Sequence, residues 1–129
     1  MSASANYNAL FDSCSDLINA FKELKLANAE FDRLKHKIYD EQGNEQDEWE
    51  ASIELVKNAP IKIVKQIDKE ICITPVNESD EVAIESVKKV KQIYSRIKVI
   101  NELKQKGYDK VKEQKLPDGS IRVVVQKWQ

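Results

Sequence analysis

From Leu10 to Ile38 the apolar residues return every three or four positions: Leu10, Cys14, Leu17, Phe21, Leu24, Ala27, Phe31, Leu34 and Ile38. That spacing averages close to the heptad value of a coiled-coil seam and predicts a helix with one narrow apolar stripe, widened by Ile18. Continuous from about Asn6 to Asp40, such a helix would be about 50 Å long at 1.5 Å per residue. A stripe of that length needs another helix laid along it. The sequence offers a second helix at about 48–58, with Gly43-Asn44 as the turn and Asp47 as its cap. Trp49, Ile53 and Val56 lie on one face of it, Leu55 is beside them, and Pro60 stops it. This shorter arm covers less than half of the seam. Leu10, Cys14, Leu17, Phe21, Leu24, Phe31 and Leu34 are therefore the candidate interface, with a homodimer or another protein as the expected partner.

The period then changes. In IKIVKQIDKEICITP, residues 61–75, Ile61 and Ile63 alternate with Lys62, and Ile71 and Ile73 alternate with Cys72 and Thr74. β-Branched residues and an Asp68-Lys69 turn favour two short strands, with a helix as the competing reading. Pro75 and the polar run from Asn77 to Asp80 lead into a helix at about 81–106. Ser79 or Asp80 caps it, Ile84, Val87, Val90, Tyr94, Ile97 and Ile100 or Leu103 form its buried stripe, and Gly107 closes it. Leu116-Pro117-Asp118-Gly119 then joins two strand-like runs into a hairpin. On its second strand Ile121, Val123 and Val125 share one face. Arg122, Val124, Gln126 and Trp128 share the other, which Val124 and Trp128 suggest is partly covered.

The expected fold is α+β: a long N-terminal helical hairpin, then a small antiparallel sheet packed on one long helix, with a C-terminal β-hairpin. A length of 129 residues fits a single domain, 1–129, with 1–59 as helical arm and 60–129 as strand–helix–hairpin module. Only three Gly and three Pro leave little room for the many turns of an all-β chain. No apolar run of about 18 residues encodes a membrane span, and the start lacks the basic and apolar regions of a signal peptide. Cys14 and Cys72, both inside apolar patterns, read as reduced, buried thiols. A cytoplasmic setting follows, either bacterial cytosol or organellar stroma.

The stretch from Val90 to Trp128 resembles the C-terminal part of the hypothetical chloroplast open reading frame thirty-five family, a domain of unknown function from cyanobacteria and plastids. The resemblance lies in Gln92-x-Tyr94, in Lys106-Gly107-Tyr108, in Asp118-Gly119-Ser120-Ile121-Arg122 and in the ending Val125-Gln126-Lys127-Trp128. Upstream, only the LINAFKEL stretch, 17–24, is similar, and the family's Gly-, Tyr- and Trp-rich central strands have no counterpart here. The resemblance implies an accessory role, with an AAA-type ATPase as a possible partner, and carries over no catalytic residue.

No phosphate-binding glycine loop, dinucleotide fingerprint, paired-cysteine motif or zinc-protease motif is present. Neither a catalytic set nor a cofactor or metal site is expected. His36 stands four residues from both Asp32 and Asp40, which is either a carboxylate-oriented acid–base group or a surface ion-pair ladder. The ladder is favoured, because no nucleophile accompanies it. The acids around Gly43 lack the order of a calcium loop and read as a solvated turn. Cys72, between two isoleucines, reads as a structural thiol.

Charge is unevenly spread. Residues 1–80 carry 9 basic and 16 acidic side chains, and residues 81–129 carry 12 basic and 6 acidic ones. On the 81–106 helix Lys88, Lys89, Lys91, Arg96 and Lys98 avoid the apolar stripe and form the candidate anion-binding set. Lys110, Lys112, Lys115, Arg122 and Lys127 add charge along the hairpin. The leading expectation is a small non-enzymatic interaction or assembly protein. The alternative is a nucleic-acid-binding accessory that uses the basic half, because phosphate neutralisation needs clustered Lys and Arg.

Overall fold

The structure, a computed structural model, describes residues 8–127; within the last two strands it gives the backbone alone at 109–112, 123 and 125–127. The expected helix start at Asn6, and Trp128 on the last strand, lie outside the described residues. The protein is mixed α+β, with three helices, a four-stranded antiparallel sheet and a separate two-stranded one. It divides into two compact units, residues 1–94 and 95–129.

In the first unit, β1 (Ala9–Phe11), β2 (Trp49–Ile53), β3 (Ile61–Lys65) and β4 (Ile71–Pro75) pair in the order β1-β4-β3-β2. Register places Ala9 beside Ile73, Ile73 beside Ile63 and Ile63 beside Ala51. These residues, with Phe11, Ile53, Ile61 and Ile71, form the inner face of the sheet, which is buried apart from half-buried Ala51. The helices add Leu17, Phe21, Leu34, Ile38, Val87 and Val90 to the buried set. The alternation read over 61–75 thus gives two strands. The sheet joins segments from before and after residue 60, so the described residues do not divide there into a helical arm and a sheet module.

The continuous N-terminal helix is replaced by β1, α1 (Cys14–Glu23) and α2 (Asn28–Ile38). Its start is set by Ser13, whose side chain accepts from the Asp16 amide at 3.2 Å and caps α1. Its break is a Schellman closure: the Leu26 amide donates to Phe21 O and the Lys25 amide to Lys22 O, both at 3.1 Å. Lys25 takes the left-handed conformation, φ 60, that such a closure requires. Glycine is the usual residue there, so the stop is hidden behind a lysine. Leu26, just after it, is buried.

The helix expected at 48–58 is also corrected, since residues 49–53 form strand β2 with alternating exposure. Trp49 and Ile53 are four apart, and four satisfies both the strand period of two and the helical period of 3.6. Val56, the third residue of the supposed helical stripe, is 46% exposed.

Helix α3 (Glu81–Gln105) matches its expected span, and the boundary between the units falls within it. Asp80 Oδ1 caps it by accepting from the Val82 and Ala83 amides at 3.0 and 3.2 Å. Ala83, Ser86, Val87, Val90 and Tyr94 are buried, so the stripe is turned slightly from the expected one and leaves Ile84 half-buried. The Tyr94 ring meets Phe11 edge-to-face at 4.8 Å, fixing α3 to β1.

In the second unit, the end of α3 is followed by the hairpin of β5 (Tyr108–Lys115) and β6 (Ile121–Lys127), as the turn residues predict. The Gly119 amide donates to Leu116 O at 3.0 Å and Leu116 donates to Ser120 O at 2.8 Å; Gly119 sits at φ 90, which only glycine adopts without strain. Asp118 Oδ1 accepts from the Ser120 hydroxyl at 2.5 Å and from the Ser120 amide at 2.9 Å, and these contacts hold its carboxyl below the usual range.

Candidate nucleic-acid interface

The β5–β6 register sorts the hairpin's charges. On one face Val111 pairs with Val125, Glu113 with Val123 and Lys115 with Ile121. On the other, Lys110 pairs with Gln126, Lys112 with Val124 and Gln114 with Arg122. By register this second face therefore carries three cations, two amides and one valine, with Asp109 the extra residue of a bulge between Tyr108 and Lys110. Gln114 and Arg122 are exposed and Val124 is 43% exposed. Successive residues on one face of a strand lie about 6.8 Å apart, and diagonal cross-strand neighbours about 7–8 Å. Lys110, Lys112 and Arg122 thus hold neighbouring positions on one face of the ribbon.

Glu113, on the opposite face, is ion-paired with Arg96 of α3. The Arg96 side chain is only 13% exposed, which makes the pair a packing contact of the second unit. Of the helical anion-binding candidates, Arg96 is thus engaged, Lys88 meets Glu85 at 3.5 Å, and Lys98 has a partner of its own. Lys89 and Lys91 are exposed. The helix does not present the five-cation array that its spacing suggests. The signal for the hairpin set was in the sequence as strand alternation, but only the register shows which residues share a face.

The candidate interface residues of the seam are dispersed. Cys14, Leu17, Phe21 and Leu34 are buried in the chain's own fold, and Leu24 and Phe31 are half-buried. Leu10 is 59% exposed, on the outer face of the sheet. There it aligns with Cys72, Val64 and Glu50 across all four strands. Leu10, Val64 and Cys72 line a hollow of about 460 Å³ with Gln66, Lys69 and Glu70 of the β3–β4 turn.

His36, Asp32, Lys35, Tyr39, Asp40 and Gly43 line an open hollow of about 480 Å³. Asp40 Oδ1 accepts from the Gln42 and Asn44 amides at 2.9 and 2.8 Å, which shapes the acidic turn. Among the described residues no group of three or more His, Cys, Asp and Glu is placed to hold a metal ion. Burial pushes the Cys14 thiol up to about 12, aided by the Glu45 carboxylate, so it stays protonated near neutrality. Among the described residues no helix is long and apolar enough to cross a membrane. No family model, no curated protein and no solved structure matches the chain.

Proposed function

We propose that the protein is a non-enzymatic nucleic-acid-binding accessory protein whose contact surface is the outward face of the β5–β6 hairpin. The observation that carries this reading is the register of that hairpin, which places Lys110, Lys112 and Arg122 on one face. Phosphate backbones bind through such charge, and the electrostatic attraction is strongest at low salt. The test is fluorescence anisotropy of labelled single- and double-stranded oligonucleotides titrated with the full chain at about 50 mM salt. Binding is expected, and Lys110→Glu with Lys112→Glu abolishes it, whereas Lys89→Glu with Lys91→Glu on α3 weakens it far less. Absence of binding to every oligonucleotide refutes the reading.

A second reading, a protein-interaction module, is favoured by the hollow on the outer sheet face, where Leu10 is exposed beside Val64 and Cys72. It moves the expected contact away from the helical seam, whose central residues are spent on the core. An Asp at position 64 would weaken such a contact, and an unchanged molecular mass and unchanged partner binding in Val64→Asp would remove it.

A further inference from the structure

We infer that the β5–β6 hairpin binds duplex DNA as a two-stranded ribbon laid in the major groove. This rests on the nucleic-acid reading above and specifies its target and mode. The first argument is shape. The major groove of B-form DNA is about 12 Å wide, admits a two-stranded β-ribbon and carries a distinct donor and acceptor pattern for each base pair, which the minor groove, about 6 Å wide, lacks. β5 and β6 form such a ribbon, with eight and seven residues joined by a tight turn. At about 3.4 Å per residue, β5 extends over about 27 Å, comparable to eight base-pair steps.

The second argument is residue chemistry. Gln114 and Arg122 are directly opposite each other, and Gln126 is further along the same face. Arginine and glutamine are the side chains that pair bidentately with guanine and adenine edges in that groove. Lys110 and Lys112, at register positions on the same face, add the point charges that neutralise phosphates. An exposed valine at 124 between polar neighbours suits contact with a thymine methyl group. The opposite face is unsuited to the role, because Glu113 is on it and engages Arg96. Duplex RNA is excluded as the preferred target by geometry, since its major groove is deep and too narrow for side chains to read.

The experiment compares four probes by anisotropy with the full chain: a 20-base-pair DNA duplex, its single strand, the RNA duplex of the same sequence, and the DNA duplex with glucosylated 5-hydroxymethylcytosines, whose sugars fill the major groove. The plain DNA duplex is expected to bind at least 10-fold more tightly than the other three. With about two phosphate contacts, the logarithmic salt slope is about −1.8, so affinity falls about 12-fold between 50 and 200 mM salt. Lys110→Gln and Lys112→Gln each reduce that slope by about 0.9, Arg122→Gln weakens binding to guanine-containing sites with the slope unchanged, and Lys89→Gln leaves both unchanged. Equal binding of the plain and glucosylated duplexes, or of DNA and RNA duplexes, overturns the groove mode and leaves the broader nucleic-acid reading standing. Absence of binding to all four overturns both.

Discussion

Removing a single hydroxyl, that of Tyr94, tests how the first unit is held together. Tyr94 Oη accepts from the Ser13 amide at 2.9 Å and the Asp12 amide at 3.2 Å, and it donates to Asp12 Oδ1. It therefore ties the junction between β1 and α1 to a residue about eighty positions away. Tyr94→Phe deletes all three bonds and keeps the edge-to-face contact with Phe11. A neutral hydrogen bond contributes about 0.5–1.5 kcal/mol and one to a charged group about 1.5–3 kcal/mol. Water reaches the start of α1 in part, and Ser13 Oγ still caps the Asp16 amide, so the values do not simply add. A loss of about 2–3 kcal/mol is expected. Urea unfolding followed by circular dichroism reads it as a midpoint lowered by about 1–2 M with an unchanged slope. The cycle with Asp12→Ala should show coupling above about 1 kcal/mol, as for residues in one network. A loss below about 0.5 kcal/mol would refute the reasoning, since solvent would then replace the hydroxyl without cost.

Two other perturbations separate core from surface and locate a titrating group. Phe21→Ala should cost about 3–5 kcal/mol, and Leu24→Ala, at a half-buried site, clearly less. Phe21→Asp should unfold the chain rather than split a dimer; a folded variant with half the light-scattering mass of the wild type would restore the seam as an interface. The Cys14 thiol is raised from 9.0 to about 12 by burial and by Glu45, so the folded state holds its proton more tightly than the unfolded one. Its contribution is complete below about pH 9 and is lost as pH rises from there toward 12. The stability difference between wild type and Cys14→Ala should therefore be flat up to pH 9 and change by about 2 kcal/mol in favour of Cys14→Ala by pH 11. A constant difference across that range would show that the thiol is solvated. Tyr94, whose hydroxyl burial also raises, titrates in both proteins and cancels in the comparison, whereas Tyr39, raised by burial and also by Cys14, is part of the same coupled effect.

Which elements could be read from the sequence depended on whether their boundaries are marked by the usual residues. Asp80, Gly107 and Gly119 mark theirs openly, and α3 and the last hairpin match their expected spans. The stop after α1 is carried by Lys25 in a left-handed conformation, and neither its charge nor its chain length reveals that. The seam across it then read as one helix, because Cys14, Leu17 and Phe21 before the break and Leu34 and Ile38 after it all face a core. Burial sets that periodicity whether or not the backbone is continuous. Trp49 and Ile53 were ambiguous for a different reason, since a spacing of four fits either period.

The candidate site was legible as charge but not as geometry. Counted along the chain, α3 has the densest run of cations, with Lys88, Lys89 and Lys91 within four residues. A helix spreads neighbours around its axis and brings acids three and four residues away within reach, as Glu85 is for Lys88. A strand does the opposite: residues two apart share a face, and the register adds those of the paired strand. Acid and base one residue apart, such as Glu113 and Lys112, are assigned to opposite faces by the register, and Glu113 engages Arg96. The hairpin therefore keeps a net positive face where the helix dissipates one, although its charges are sparser along the chain. The formal net charge of −1 conceals this, because a sum over the chain contains no information about which face each charge occupies.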